Sequence, residues 1–372
     1  MEVLYTANPR ANYLALKAEI DAAIQGVLDS SSYVLGPVVA GFERSFADYL
    51  GAKHGIGVNS GTDALHLALR GLGIGRGDEV LTVSHTAVAT VAAIEMSGAS
   101  PVLVDVEPRW RTIDPAGVAA AIGSRTRAVI AVHLYGQPAD LDALGALCAG
   151  HGLALVEDCA QAHGAGWGKA VVGTRGNVAA FSFYPTKNLG AVGDGGMVVT
   201  NDAALDETVR QLRQYGWASP QHSVKPGWNS RLDPLQAAVL QVKLRHREEG
   251  TERRRGLAAR YAAELAGLPL RLPEERPGSR HVYHLYVVET LDARHRDALQ
   301  LHLQREGIVA GIHYPAGVHA QAAYSGRIRA AALPVTERLT AAILSLPLYP
   351  ELSAGSQDRV IAAIRGFFRS AP

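Results

Sequence analysis

The chain has 372 residues, 48% hydrophobic and 19% charged, with 36 Lys plus Arg against 35 Asp plus Glu and a formal net charge of +1. That length exceeds one minimal core and predicts a large domain with a smaller one, while the balanced charge argues against nucleic acid or an anionic membrane as partner. Cys148 and Cys159 lie in apolar patterns without metal-like or redox spacing, and Met1–Arg10 lacks the apolar core of a signal peptide; free buried thiols, a cytoplasmic protein and no membrane span are expected.

Residues 11–30 predict a helix with Leu14, Ile20, Ile24 and Leu28 on one face, followed by a second apolar-periodic segment, Val38–Leu50. A short strand then turns through Ser60-Gly61-Thr62 into a helix. Small residues at a helix start leave backbone N–H groups free at the positive end of the dipole, which makes either a plain cap or an anion cradle. Regular alternation follows: strand Val80–Ser84, a helix from about Thr86 to Met96, strand Pro101–Val106, a helix opened by Asp114-Pro115, strand Ala128–Tyr135, a helix capped by Asp140, and strand Leu153–Asp158. Short, nearly continuous apolar strands between amphipathic helices are the pattern of a parallel sheet covered on both faces, with chemistry at the carboxyl ends of its strands.

Asp158 ends one such strand, and period-2 alternation lets only one of Glu157 and Asp158 face a site. The stretch Phe181–Asp194 follows. It is an apolar run ending in a Pro-interrupted turn that presents Lys187, then a Gly-rich passage into a strand at Met197–Thr200. Desolvation beside aromatic neighbours disfavours an ammonium, so Lys187 is a candidate nucleophilic amine able to form a Schiff base with an aldehyde. A helix to about Gln214, an aperiodic loop Gly216–Asn229, and a helix from Asp233-Pro234 to about Glu249 complete the large domain, with the boundary near residue 240. Beyond it the pattern predicts a helix, a Pro-rich connection, strand Tyr283–Glu289, a helix to Gln304, strand-like Ile308–Tyr314, a helix through Leu344 and a last one from Ser356 to Arg369.

Three imitations of ligand motifs are set aside. Gly71–Gly77 follows a helix where a dinucleotide fingerprint would open one, Gly164–Lys169 lacks P-loop spacing, and His281 and His284 lack carboxylate partners at ligand spacing. No metal site is expected.

With Gly61-Thr62, Asp158, Gln161, Ser182 and Lys187 in this order, the chain resembles the DegT/StrS family of nucleotide-sugar aminotransferases over roughly residues 10–365. The resemblance implies the aspartate-aminotransferase fold (fold type I): a large α/β domain, 1–240, with a mostly parallel seven-stranded-type sheet covered by helices, a smaller C-terminal α/β domain, 241–372, and a homodimer. It implies pyridoxal phosphate bound covalently by Lys187, with Asp158 on the pyridinium nitrogen and Gln161 on the ring or its phenolate oxygen. Gly61, Thr62 and Ser182 would hold the phosphate. The Asn229-Ser230-Arg231-Leu232-Asp233 segment implies that Asn229 reaches the neighbouring subunit's phosphate. Members usually carry an aromatic stacked on the ring where this chain has Ala87, so His85 is a candidate substitute. The implied reaction takes an amino group from glutamate, leaving 2-oxoglutarate, and delivers it to a nucleotide-linked keto-sugar. The Asp194 wording resembles members acting at carbon 3, on a dTDP-3-keto-6-deoxyhexose. A UDP-linked 3-keto sugar, a carbon-4 keto-sugar and a non-catalytic regulator are the alternatives.

Overall fold

A computed structural model describes residues 3–370. In the amino-terminal part, helices α1 (Pro9–Ala15), α2 (Lys17–Ser30) and α3 (Gly36–Leu50) lead into β1 (His54–Val58) and α4 (Gly61–Gly71). Alternation continues through β2 (Glu79–Val83), α5 (Val88–Ser97), β3 (Ser100–Val104), α6 (Pro115–Ala121), β4 (Thr126–Val132), α7 (Leu141–His151) and β5 (Ala154–Asp158). A two-residue hairpin, β6 (Gly166–Trp167) and β7 (Ala170–Val171), precedes β8 (Val178–Ser182), β9 (Gly196–Thr200) and α8 (Ala203–Leu212). The single helix expected over 11–30 is broken at Leu16, where φ −115° and ψ 17° leave helical geometry.

The loop expected to be aperiodic contains the short pair β10 (Trp217–Ser219) and β11 (His222–Ser223). After it, α9 (Pro234–Glu264) runs unbroken for 31 residues, well past the expected end at Glu249, because the Lys/Arg/Glu-rich middle still forms helix while its apolar residues serve both ends. Ala237, Leu240 and Leu244 enter the main core, and Ala258 and Tyr261 a second one. The remaining elements are β12 (Ser279–Arg280), β13 (Tyr286–Glu289), α10 (Ala293–Arg305), β14 (Arg329–Ala330), α11 (Pro334–Ala342), β15 (Ile343–Leu346) and α12 (Ala354–Ser370).

The central sheet has the order β1-β9-β8-β5-β4-β2-β3-β14; its first seven strands are the predicted body, and β14 is a two-residue addition at the edge. Only β9 runs against its neighbours, so the sheet is mostly parallel, and β1 to β9 pair through five consecutive residues. The five residues of β2, β8 and β9 are buried throughout, as a sheet sandwiched between helices requires.

Two expectations fail in the carboxyl-terminal part. Ile308–Tyr314 forms only isolated bridges, Leu4 with Ile308 and Gly311 with Ser345. The helix expected through Leu344 stops at Ala342, and β15 pairs antiparallel with β13. This small ribbon lies between the two cores: Val287 and Ile343 pack into the main cluster, while Tyr286, Val288, Leu344 and Leu346 pack into the second. Alternation of side chains across a strand produces that division. Cys148 and Cys159 are buried and unpaired, and no helix among the described residues is long and apolar enough to cross a membrane.

Candidate active site

A cavity of about 220 Å³ opens where β5 and β8 end and α4 begins, and its walls include Gly61, Thr62, Asp158, Gln161, Ser182 and Lys187. Ser60 caps α4 by accepting Asp63 N–H at 3.1 Å. Helix geometry leaves the preceding N–H groups of Gly61 and Thr62 without intrahelical partners, at the positive end of the dipole. A Cβ at Gly61 would come to 2.6 Å from Ser182 Cβ, so only glycine lets the start of α4 lie against the end of β8.

Parity along β5 separates the two acidic side chains. Asp158 lines the cavity, while Glu157 points into the opposite layer, where it accepts N–H bonds from Gly173, Arg175 and Gly176 at 2.7, 2.8 and 2.7 Å and meets His133 Nε2 at 3.1 Å. Asp158 is 5% exposed, and its carboxylate accepts from Thr90 Oγ1 at 2.9 Å and Ala160 N at 3.1 Å. Burial pushes its carboxyl pKa up, opposed by those two donors and by Lys187.

Lys187 sits in a turn closed by its own N–H on Tyr184 O at 2.8 Å. Burial brings its ammonium down to about 8, with Asp158 working in the opposite sense. His163, His284 and His313 are all held toward the neutral form, by burial first and then by the Lys187 charge. Asn188 fixes one of them: its Nδ2 donates to Val282 O at 3.2 Å, which turns Oδ1 toward His284 Nδ1, 3.2 Å away. These three imidazoles therefore add no second cation to the field at the amine near neutral pH.

Gln161 is held from two sides. Its Oε1 accepts Tyr135 N–H at 2.7 Å, and its Nε2 donates to the Tyr314 hydroxyl at 3.0 Å.

Two expected residues lie away from this cavity. His85 is fully buried, with Nε2 2.7 Å from the Tyr135 hydroxyl, and does not line the cavity; in the bend after β2 its ring is taken up by that contact, while Thr86, Ala87 and Thr90 form the cavity wall. The expectation that His85 supplies the missing aromatic face is therefore corrected: that wall is made of small side chains. Asn229 is exposed and does not line the cavity of its own chain, although Ser230 beside it donates to Asp63 Oδ2 at 2.7 Å. Arg213 is buried away from the cavity, donating to Glu43 Oε1 at 2.5 Å and Gly57 O at 2.7 Å.

Sequence reasoning missed Thr90, Tyr135 and Tyr314. Thr90 follows Thr86 by one helical turn, and their hydroxyls lie 3.0 Å apart, the one local signal that could have marked it. His133, Glu157 and Cys159 form a compact buried group with metal-capable atoms. The Glu157 oxygens already accept four donors and His133 Nδ1 accepts Ala139 N–H at 3.0 Å, so the group is committed internally.

This donor set suits an elongated ligand with an anion at one end, a cationic ring nitrogen at the other and a carbonyl within reach of an amine. Pyridoxal phosphate, which the sequence resemblance implies, has all three. The fit rests on the Gly61–Ser182 contact, which leaves a backbone cradle, and on the buried Asp158 carboxylate, which among the described residues has no cationic side chain in hydrogen-bonding contact.

Comparison with known proteins agrees with the geometry. The model of the DegT/DnrJ/EryC1/StrS aminotransferase family matches residues 15–365. The dTDP-3-amino-3,4,6-trideoxy-alpha-D-glucose transaminase of Streptomyces venezuelae is 50% identical over 358 residues, 96% of this chain and 94% of that protein. Among solved structures, S. venezuelae DesV in complex with a ketimine intermediate superposes with a TM-score of 0.97 at 48% identity, covering 100% of both chains. NtdA from Bacillus subtilis with bound cofactor PMP gives 0.90 at 28% identity, covering 100% of this chain and 86% of that one.

Proposed function

We infer the reaction from kinship and site together: the chain belongs to the DegT/DnrJ/EryC1/StrS aminotransferase family, and it is a sugar aminotransferase. Its substrate is proposed to be a dTDP-linked 3-keto-6-deoxyhexose aminated at carbon 3, with glutamate as donor. The similarity to the S. venezuelae transaminase supports that choice of carbon and nucleotide. The observation that carries the reading is the pairing, in one cavity, of a buried carboxylate, Asp158, with a lysine whose amine is brought down to about 8.

Pyridoxal phosphate, when bound, supplies the aldehyde that accepts the amino group and a cationic ring that stabilises negative charge at the reacting carbon. Lys187 is the proposed attachment point. Asp158 would hold positive charge at the ring nitrogen: Thr90 and Ala160 already favour its ionised form, and its burial strengthens its attraction for a cation. Gly61, Thr62 and Ser182 are proposed to bind the phosphate, and Gln161 to contact the ring face or its oxygen. Once displaced by the amino donor, Lys187 Nζ would take the proton from the donor's alpha carbon and hand it back within the same half-reaction, and would serve the keto-sugar in the reverse sense. At pH 7 a group with this pKa is roughly one-tenth free amine, enough to act as a base, and its conjugate acid is strong enough to return the proton.

The protein is proposed to act as a homodimer in which Asn229 serves the neighbouring subunit's phosphate; its exposure, beside a segment anchored to Asp63 at the start of α4, supports this. The domain division is placed within α9, as 1–240 and 241–372. A cytoplasmic location is proposed from the two buried free thiols.

The decisive experiment mixes purified protein and pyridoxal phosphate with glutamate, then with a panel of nucleotide keto-sugars. Loss of the cofactor's visible absorbance on adding glutamate, and a product heavier by an amine in place of the ketone for the dTDP 3-keto sugar, are expected. Absence of any spectral response to glutamate favours a non-catalytic regulator, and amination of only a 4-keto sugar overturns the carbon-3 choice.

A further inference from the structure

The turn 133–136 after β4 takes an unusual path: Tyr135 has φ 60° and Gly136 φ 95°. A Cβ at Gly136 would come to 2.8 Å from Val282 Cγ2 and 3.1 Å from the backbone nitrogens of Tyr283 and His284, so the left-handed turn lets the main sheet meet the carboxyl-terminal part at backbone distance. Val282 N–H donates to Gly136 O at 3.1 Å across that contact.

Tyr135 uses the position twice. Its backbone N–H fixes Gln161 Oε1 at 2.7 Å, and its buried hydroxyl bonds both to His85 Nε2, at 2.7 Å, and to the carbonyl oxygen of His313. A carbonyl can only accept, so the tyrosine proton goes to His313 O, and His85 must donate through Nε2–H. The next residue, Tyr314, receives Gln161 Nε2–H at 3.0 Å. A ring therefore closes: Tyr135 N–H to Gln161, Gln161 to Tyr314, one peptide back to His313, and His313 O to the Tyr135 hydroxyl. His85, the histidine that does not reach the cavity, orients this ring from behind.

We propose that Tyr135 is a positioning residue that ties the placement of Gln161 to the docking of segment 311–314, so that the cavity wall and the carboxyl-terminal part are set together. The inference rests on the reading of the cavity as a cofactor site only in its kinetic consequence. The hydrogen-bond ring stands without it. Segment 311–314 has no regular strand to hold it beyond the bridge of Gly311 to Ser345, at 3.1 and 2.7 Å, so side-chain bonds help decide where it lies: His313 Nδ1 with Ser345 Oγ at 2.9 Å on one side, and the Tyr135 hydroxyl on His313 O on the other.

The test is Tyr135→Phe, which keeps the ring and the backbone N–H and removes the hydroxyl alone. In the holoenzyme the rate at which glutamate bleaches the bound cofactor should fall roughly tenfold, the scale of one lost buried hydrogen bond. Amide exchange at Gly311 and Ser345 should accelerate by about the same factor, with the amides of α12 unchanged. Tyr314→Phe should reproduce both effects, and the double variant should lose no more than either single one. Multiplicative losses in the double variant, or unchanged exchange at Gly311 and Ser345, overturn the proposal. A wild-type chain that binds no pyridoxal phosphate sinks the functional reading instead, and the exchange comparison on the cofactor-free protein still decides the latch. If Tyr135→Phe yields only unfolded chain, Tyr314→Phe read by the same exchange decides it.

Discussion

Thr90 donates its hydroxyl proton to Oδ2 of Asp158 at 2.9 Å, from the first turns of α5 to the last residue of β5. The bond ties a helix start to a strand end and steadies an acidic side chain that burial alone would push toward its neutral form. Thr90→Val keeps the shape and deletes the donor. Hydrogen bonds to charged groups are worth about 1.5–3 kcal/mol, so turnover is expected to fall roughly 10- to 100-fold. Steady-state kinetics of the variant beside Asp158→Ala, which should be far worse, checks the ordering.

Lys187 is expected to be required for turnover yet costly to the empty fold. Below pH 8 its ammonium is charged in both folded and unfolded chains, and the folded state bears the whole cost of desolvating it. Between about 8 and its ordinary 10.5 the unfolded chain holds the proton that the folded chain has released, so stability rises with pH across that window. Lys187→Met should therefore stabilise the cofactor-free protein at pH 7 by about 1–3 kcal/mol, discounted for partial exposure, and the advantage should fade by about pH 10.5. Urea unfolding of both proteins across pH measures it; a lysine form that is the more stable at pH 7 contradicts the assignment.

Glu157 is expected to matter for stability more than for chemistry. Burial works against its ionised form, but His133 and the Gly176 and Gly173 N–H groups together outweigh that and hold its carboxyl below the ordinary range, so its contribution is present above the ordinary carboxylate range and is lost as pH falls through its depressed folded value. Glu157→Gln places an amide donor against donors already facing that oxygen and should cost about 3–5 kcal/mol. Thermal melts at pH 7 test this, and the gap between variant and wild type should narrow in acid.

Asn229 gives a subunit-mixing experiment. If it serves the partner's site, Lys187→Ala and Asn229→Ala chains are each impaired alone, but their heterodimer contains one site with both groups intact. Co-refolding them in equal amounts should restore activity. No recovery would place Asn229 outside the neighbouring site.

Gly61→Ala would set a methyl group 2.6 Å from Ser182 Cβ and force the start of α4 away from β8. Although alanine favours helix, pyridoxal phosphate affinity is expected to fall more than about tenfold, since displaced N–H groups no longer converge on an anion. Titration of the apo-protein followed by absorbance checks it.

The alternation of buried strands and helices from residue 54 to 200 was readable because a strand covered on both faces must be apolar at nearly every position, a property each segment carries alone. Asp158 and Lys187 stood out for a related reason, since each follows or closes a buried apolar run, although Glu157 shows that a carboxylate at such a place can equally serve the fold. The order of Ser60, Gly61 and Thr62 before a helix was likewise a local signal. By contrast, α9 was cut short at Glu249 because its charged middle hides which apolar residues belong to which core, and β15 was hidden in an apolar run that periodicity over four residues cannot tell from a helix end.

What the chain determined by itself, then, was the set of local preferences: which segments bury, which turn, and which amine and carboxylate close a strand. Only the tertiary structure decided that His85 backs onto Tyr135 instead of entering the cavity, that Arg213 pairs with Glu43, and that Thr90 and Tyr314 reach Asp158 and Gln161. Those pairings join residues separated by 50, 170, 68 and 153 positions. Neither partner bears a mark of the other, because a hydrogen bond depends on where two backbones are brought together, and that is settled by packing of the whole sheet and its helices.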